Sequence, residues 1–295
     1  MVAVASGFDL ITFVTDYWLE GGFVGALHAV VDEIVAERSG KRVRIIDLDH
    51  SIPPQDVLLG ALRMERLLPY TRRGVHVGIV DPGVGTARRP VAVRAGGRVF
   101  IGPDNGLLMF AVDAAGGAAE AVTLERYLLP HPSATFHGRD IFAPAAAHVA
   151  CGMRLDDLGA PIPPASLTRL RRPAPRALDG GGVEVQVVQL DGFGNVQFGA
   201  AGEALHALGQ AGDLIVLQKA GGKAGASERD GEAEGVSEGV TAPIGTAFGD
   251  VDPGEAVLLV DSDGCVALSV NRGRAGQLLG RLHPGDTVIL RPQAD

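Results

Sequence analysis

The stretch V-H-V-G-I-V-D-P-G-V-G-T-A-R, Val75 to Arg88, decides the fold. Its first six residues are an apolar run of strand length, rich in Val and Ile, and they stop at Asp81. The Pro82-Gly83 and Gly85 that follow bend the chain sharply, as at the end of a strand that presents side chains to a cleft. Working upstream, Leu10 to Val14 is a second short apolar run, and it stops at Thr15-Asp16. Between the two lie apolar residues at helical spacing over Gly22 to Glu37 (Phe23, Ala26, Leu27, Val30, Val31, Ile34), then a strand at Val43 to Leu48. A second helix is expected to open at Pro53-Pro54 and to run to about Leu67. This βαβαβ order predicts a parallel sheet with helices on both faces, whose ligands sit beyond the carboxyl ends of the strands. Asp16 and Asp81 both fall at such ends. Either alone reads equally as a turn former or helix cap; two from successive parallel strands argue for a shared cleft.

Downstream, Val91 to Val93 and Arg98 to Ile101 read as a hairpin around Ala95-Gly96-Gly97, followed by the turn G-P-D-N-G at Gly102 to Gly106. A further segment with reactive groups beside bending residues is T-F-H-G-R-D, Thr135 to Asp140, ahead of an Ala-rich helix over Ile141 to Cys151. Its position just before a helix N-terminus favours a neutral, proton-accepting His137. Asp81, Arg88 and His137 thus form a candidate carboxylate, cation and imidazole set suited to activating a water or holding an anion. An Arg–Asp pair bracing a turn is the structural alternative. Asp104, Asn105, His50 and His148 read as turn, cap or packing residues.

Pro161 to Pro175 holds five prolines and marks a linker. Beyond it, Val183 to Leu190, Val196 to Phe198, Leu214 to Gln218, Ala256 to Val260, Val266 to Val270 and Thr287 to Leu290 are short apolar runs separated by Gly, Asp and Pro. They predict an all-β, barrel-like domain. The expected division is 1–172 for the α/β domain and 173–295 for the β domain. Residues 221–245, rich in Gly, Glu and Ala, are expected to be a mobile insertion.

Composition narrows the function classes. At 295 residues with 46% hydrophobic content, the chain is long enough for two cores. A net charge of -9, with R-L-R-R at Arg169 to Arg172 the one short basic cluster, argues against nucleic-acid or anionic-membrane partners. Cys151 and Cys265 have no C-x-x-C partner, so neither a disulfide framework nor a thiolate metal site is indicated. A cytoplasmic location is the simplest expectation; the N-terminal segment, broken by Asp9 and Asp16, reads as a strand and not a signal peptide.

Val80 to Arg88, Thr135 to Asp140, the T-D at Thr15-Asp16, H-S-I-P-P at His50 to Pro54 and G-P-D-N-G together resemble the S-adenosylmethionine hydroxide adenosyltransferases. These are related to the adenosyl fluoride and chloride synthases, and the resemblance runs from Ile11 to about Gly280. It implies attack of water or hydroxide at C5′ of S-adenosyl-L-methionine, giving adenosine and L-methionine, with no cofactor and no metal. Asp81 would orient or deprotonate the water, His137 would accept or relay a proton, Arg88 would hold Asp81 ionised, and Asp16 would take the ribose hydroxyls. It further implies a homotrimer with the site at the subunit interface. There L-D-G-F-G-N at Leu190 to Asn195 would bring Asp191, Phe193 and Asn195 to a neighbour's ligand, and Ser262 with the backbone around Val270 to Arg272 would read the adenine edge. From the residues alone, the Leu190 to Asn195 segment reads instead as a Gly-rich turn with one core aromatic.

Two positions depart from the family pattern. Ala267 stands where relatives often carry Glu, and Gly21 stands where they carry Asp, with Glu20 a candidate substitute. The halide synthases typically have Tyr where this chain has Asp81, and the fluoride enzyme has an extra loop for which Arg88 to Gly102 leaves no room. A carboxylate in the nucleophile pocket would repel a halide by on the order of several kcal/mol. The alternatives to hydrolysis are a chloride synthase, a metal-dependent hydrolase using Asp16, Asp81, His137 and Asp140, and a non-catalytic adenosine or S-adenosylmethionine binding module. A Rossmann dinucleotide enzyme is disfavoured, because no G-x-G-x-x-G follows the first strand.

Overall fold

The computed structural model describes residues 7–38, 42–220 and 239–293. The chain divides into two compact units, Met1–Leu170 and Arg171–Asp295.

In the first unit, β1 (Leu10–Thr15) is followed by α1 (Phe23–Arg38), β2 (Arg44–Asp49), α2 (Val57–Leu67) and β3 (Val75–Ile79). Then come the hairpin β4 (Pro90–Ala95) and β5 (Arg98–Pro103), α3 (Met109–Ala114), β6 (Glu120–Thr123), α4 (Ala143–Ala150) and the single turn α5 (Leu155–Leu158). The sheet order is β2-β1-β3-β5-β4-β6. Parallel pairing holds for β2-β1, β1-β3 and β3-β5. The parallel sheet expected from the βαβαβ order is extended by the expected hairpin into a mixed one, in which β4 runs antiparallel to β5 and β6. The reason is local. Gly96 and Gly97 take φ of +55° and +74°, the tight left-handed turn that returns a strand beside itself.

The strand period of two sorts side chains onto the two faces. Ile11, Phe13, Val75, Val77, Ile79 and Ile101 pack with Leu27, Val31 and Val35 of α1 and the Ala-rich α4. On the other face, Gly78 and Gly60 let Met64 of α2 and Leu107 approach: a Cβ at Gly78 would stand 2.4 Å from Met64 Sδ. Helix α2 begins four residues later than Pro53-Pro54 would place it. Gln55 has φ of +69°, and Asp56 is the cap, its Oδ1 accepting the Leu59 N–H at 2.9 Å. His50 therefore does not cap this helix.

The second unit contains β7 (Arg176–Ala177), β8 (Val183–Leu190), β9 (Val196–Ala201), α6 (Gly202–His206), β10 (Leu214–Lys219), β11 (Val240–Pro243), β12 (Ala256–Val260), β13 (Cys265–Val270) and β14 (Thr287–Pro292). Its strands run β11-β10-β14-β8-β9-β13-β12, every pair antiparallel, with β7 beside β8. An Ile244–Leu258 bridge links the two ends of that order, so the sheet is a nearly closed barrel. Val185, Val187, Phe198, Leu217, Leu258, Leu268 and Leu290 fill its interior. Of the expected insertion 221–245, residues 221–238 lie outside the described residues. Val240–Pro243 are strand β11, paired with Leu214–Leu217, which corrects the upper boundary.

The segment read as a linker belongs in part to the first unit. Ile162 N–H donates to the Ala121 carbonyl at 2.9 Å, Thr168 N–H to Asp104 Oδ1 at 2.8 Å, and Leu167 is buried. Arg169 pairs with Asp113 at 2.6 Å.

Candidate active site

The ends of β1 and β3 lie side by side, with Asp16 N–H donating to the Ile79 carbonyl at 3.3 Å. That contact brings Asp16 and Asp81 to one edge of the sheet. The β3 end is braced from below, because Asn105 Nδ2 donates to the Val80 carbonyl at 2.9 Å while its Oδ1 accepts the Leu107 N–H. The turn chemistry read at Asp104 and Asn105 thus supports the strand end that carries Asp81.

Past Asp81 the chain makes successive tight turns, with Val84 N–H donating to the Asp81 carbonyl and Thr86 N–H to that of Gly83. Gly85, at φ +74°, sits so close to the other motif that a Cβ there would stand 2.5 Å from the Ala134 carbonyl oxygen. Only glycine allows both the turn and that approach. This is how two segments about fifty residues apart meet.

Where they meet, Arg88 Nε donates to both Asp81 oxygens, at 2.9 and 3.1 Å, and its Nη2 donates to Oδ2. The same Nη2 lies 2.8 Å from His137 Nδ1. Both members of the ion pair are buried, and the guanidinium lies over the Phe142 ring at 5.2 Å. A guanidinium only donates, so Nδ1 of His137 must be an acceptor, and the neutral ring carries its proton on Nε2. Burial and the Arg88 charge both hold the His137 pKa below its ordinary value. The imidazole is therefore neutral, as the sequence suggested, but burial and Arg88 are the causes, and its accepting nitrogen is already engaged. What it offers is an N–H donor. Arg88 Nη1 is buried and has no hydrogen-bond partner among the described residues.

The expected helix over Ile141 to Cys151 is preceded by a wide π turn, Gly138–Phe142, closed by Ala143 N–H on the Gly138 carbonyl. Pro144 explains it. Proline has no N–H to return to the Asp140 carbonyl, and that carbonyl accepts Leu129 N–H instead, at 3.0 Å. The Asp140 carboxylate accepts Arg139 Nε at 2.6 Å and Ser133 N–H at 2.8 Å. Burial alone would raise its pKa, but these bonds hold it below the ordinary range. Asp140 thus fastens the loop that presents His137, and it is not turned toward Asp16 and Asp81 as a fourth hard ligand. No group of three metal-ligating side chains occurs among the described residues.

Asp16 Oδ2 accepts the Gln55 N–H at 3.0 Å. Its pKa is raised, by burial first and then by the Asp81 charge, with the Gln55 bond opposing. The sequence reading passed over Tyr17. Its ring meets Phe23 and Phe136 at 5.7 Å each, and its hydroxyl occupies the space beside Gly138, 2.4 Å from where a Cβ would be. Burial and the charges of Asp16 and Asp81 raise the phenol pKa. The bulky-Gly pairing of residues 17 and 138 was the signal, and it is invisible without the fold. Gly21 has φ of +83°, which disfavours the acid expected there, and Glu20 is exposed.

In the second unit, the tips of the β8–β9 and β12–β13 hairpins are built alike. Asp191 Oδ1 accepts the N–H groups of Phe193 and Asn195, both at 2.9 Å, and Gly194 takes φ of +95°. Asp261 Oδ1 accepts those of Asp263 and Cys265, at 2.9 and 3.0 Å, and Gly264 takes φ of +76°. Asp191 Oδ2 also accepts Asn195 Nδ2 at 2.7 Å. Asp191 and Asn195 thus hold their own loop and each other, while Phe193 stands 82% exposed. Arg272, at φ +56°, and Val270 lie near this tip, since Gly194 packs on Arg274. Ser262 lies at the other end of β13, which at roughly 3.3 Å per residue is about 16 Å away. Ser262 and Val270 to Arg272 therefore do not face one adenine edge together. Ala267 is buried beside Val257 and Leu259, so its side chain is a packing residue.

A separate cleft of about 1020 Å³ opens at the opposite, amino-terminal ends of β1 and β2, beside Asp9, Arg44 and Arg72. It contains none of the residues above.

Known proteins match the chain over most of its length. A model of the SAM hydroxide adenosyltransferase N-terminal domain matches residues 11–159, and one of the C-terminal domain matches residues 185–289. The chain is 43% identical over 278 residues to the (R)-S-adenosyl-L-methionine hydrolase of Salinispora tropica, covering 94% of this chain and 95% of that one. It is 36% identical to the protein of the same name from Thermus thermophilus, over 91% and 94% of the two chains. A fluorinase from Actinoplanes is more distant, at 27% identity over 65% of this chain and 72% of its own. Among solved structures, an uncharacterized conserved protein from Thermotoga maritima superposes with a TM-score of 0.78 at 30% identity, covering 95% of this chain and 99% of that one. On its motifs, its two-unit architecture and these matches, the chain belongs to the SAM hydroxide adenosyltransferase family.

Proposed function

We propose that this chain hydrolyses S-adenosyl-L-methionine to adenosine and L-methionine, with Asp81, Arg88 and His137 as the catalytic set. The observation that carries the reading is the Arg88 guanidinium, which grips both Asp81 oxygens and the Nδ1 of His137 at once. Water is a poor nucleophile and a sulfonium a good leaving group, so the site's task is to fix an in-line approach to C5′ and raise the basicity of one oxygen. The Asp81 carboxylate, fixed by Arg88, accepts a hydrogen bond from the water. The His137 Nε2–H and the unpartnered Arg88 Nη1 are donors that can hold the water by the lone pair it does not use in attack, fixing its approach to C5′. The O–C5′ bond forms as the C5′–S bond breaks, methionine leaves with the electron pair, and the water proton passes to Asp81 or solvent.

Asp16 is proposed to hold the ribose hydroxyls, a two-oxygen task suited to a carboxylate. Phe193 is proposed to reach the ligand of a neighbouring copy in a homotrimer, with Asp191 and Asn195 shaping its loop. Ser262, Val270 and Arg272 remain proposed ligand contacts, with Ser262 toward a different part of the ligand from the other two. No cofactor enters this reading.

The test is incubation with S-adenosyl-L-methionine, with and without chloride and a chelator, followed by chromatography of the nucleosides. Adenosine released with methionine, in the presence of chelator and lost in Asp81→Ala, is the expected result. Formation of 5′-chloroadenosine would replace the reading with halide synthesis, and ligand retained unchanged would replace it with a binding module.

A further inference from the structure

Behind Asp16 runs a hydrogen-bonded chain that the proposed chemistry does not use. Thr15, fully buried, has its Oγ1 2.7 Å from Nδ1 of His50, which is 6% exposed. Nε2 of the same ring lies 3.0 Å from Asp47 Oδ1, and that oxygen is also 2.9 Å from His28 Nε2. Although burial pushes the Asp47 pKa up, hydrogen bonds from His50 and His28 hold it below its ordinary value, so the carboxylate is an acceptor only. His50 Nε2 faces the Asp47 carboxylate at ion-pair distance, and on its other side the ring is hydrogen-bonded through Nδ1 to the Thr15 hydroxyl. The Thr15 oxygen in turn accepts the Tyr17 N–H at 3.1 Å.

The main chain repeats the attachment. Trp18 N–H donates to the His50 carbonyl at 2.8 Å, and Trp18 itself holds φ of +55°, a backbone conformation that a bulky side chain adopts only when held. Five residues beyond His50, the Gln55 N–H donates to Asp16 Oδ2. Residues on both sides of Asp16, and its carboxylate, are thus tied to the His50–Gln55 segment.

We propose that His50 is a positioning residue for Asp16: with Asp47 behind it and Thr15 in front, it sets the angle at which the Asp16 carboxylate meets two vicinal hydroxyls of its ligand. The proposal rests on reading Asp16 as the ribose ligand. A carboxylate that must serve two hydroxyls at once is sensitive to small rotations of the turn that carries it.

The test measures binding of adenosine and of 2′,3′-dideoxyadenosine by calorimetry to the wild type, Thr15→Val, Thr15→Ser and Asp16→Asn. The wild type is expected to prefer adenosine by about tenfold or more, the scale of hydrogen bonds to a charged group. Thr15→Val, equal in shape but without the hydroxyl, should bring the preference close to one while leaving dideoxyadenosine affinity nearly unchanged. Thr15→Ser should restore it. A merely structural Thr15 would weaken both ligands alike and leave the ratio intact. An intact ratio in Thr15→Val, with the ratio lost in Asp16→Asn, overturns the positioning role and leaves the ribose reading standing. A ratio unchanged in Asp16→Asn overturns the ribose reading itself. Asp47→Ala reaches the same chain from its outer end, at a carboxylate 33% exposed, and carries the test if Thr15→Val does not fold. An unchanged ratio there also overturns the proposal.

Discussion

At the scale of the residue, the direction of one hydrogen bond does much of the work. Because Arg88 can only donate, the 2.8 Å contact with His137 Nδ1 decides the tautomer, and in the proposed reaction it makes His137 a donor and not a base. Protonating that ring would place an N–H against the guanidinium. The expected consequence is a rate that is full at neutral pH and falls on acidification, with a midpoint below the ordinary histidine value, as the lowered pKa requires. His137→Gln should be slower and should lose that acid limb; a limb that persists unchanged in the variant would assign it to another group. Asp81→Asn keeps the size of the side chain but removes the charge that Arg88 and the water share. It should lower kcat by about a hundredfold or more, with KM changed far less, measured as adenosine release. Arg88→Lys is no conservative change here, since an ammonium cannot span both Asp81 oxygens and Nδ1, and it should fall nearly as far.

At the scale of the element, the site depends on close approaches that only glycine permits. A Cβ on Gly138 would stand 2.4 Å from the Tyr17 hydroxyl and 3.1 Å from its ring, so Gly138→Ala must displace either Tyr17 or the π turn that presents His137. Activity should drop by at least about tenfold with little change in the melting temperature, and Tyr17→Phe, which removes the oxygen, should partly restore it; no recovery in the double variant would place the strain elsewhere. The contrast with what the sequence disclosed is instructive. Strands β1, β3, β8, β12 and β13 were legible because each is a short run rich in Val, Leu or Ile that stops at an Asp, Asn or Gly turn, and α1 because Phe23, Ala26, Leu27, Val30, Val31 and Ile34 recur at helical spacing, Leu27 and Val31 among them buried. Strands β6 and β11 were not, being four residues each and stabilised by the sheet they join more than by their own composition. The motifs carrying Asp81, Arg88 and His137 were legible from their turn chemistry. The tautomer, the Asp140 clasp and the Tyr17–Gly138 contact were not, since each depends on distances between segments remote in sequence.

At the scale of the whole molecule, buried histidines set how the fold responds to acid, and exposed aromatics bear on its assembly. Burial, aided by Arg98, holds the His76 pKa at about 4, and burial with Arg38 does the same for His148. Both titrate near 6.5 once unfolded, so between those values the unfolded chain binds more protons, and stability falls as pH drops from about 6.5 toward 4. For His76 the effect is on the order of 3 kcal/mol. Melting temperatures across that range should decline, and less steeply in His76→Gln; parallel curves would remove His76 from the account. The 82% exposed Phe193 poses the complementary question. Its loop is rigidly bonded through Asp191 and Gly194, so it cannot fold the ring away, and a large apolar side chain held in water is unfavourable by about 2 kcal/mol relative to a buried one. A fixed aromatic of this kind is what an interface anchor requires. If the proposed trimer is right, light scattering should give three times the 30.5 kDa chain mass, and specific activity should fall on dilution below the dissociation range. Phe193→Ser should raise KM or shift that range to higher concentration, since it removes apolar area from a contact made between copies. A 30.5 kDa particle with full activity at every concentration, and kinetics unchanged in Phe193→Ser, would mean that one copy builds its site alone and that Phe193 serves neither ligand nor assembly.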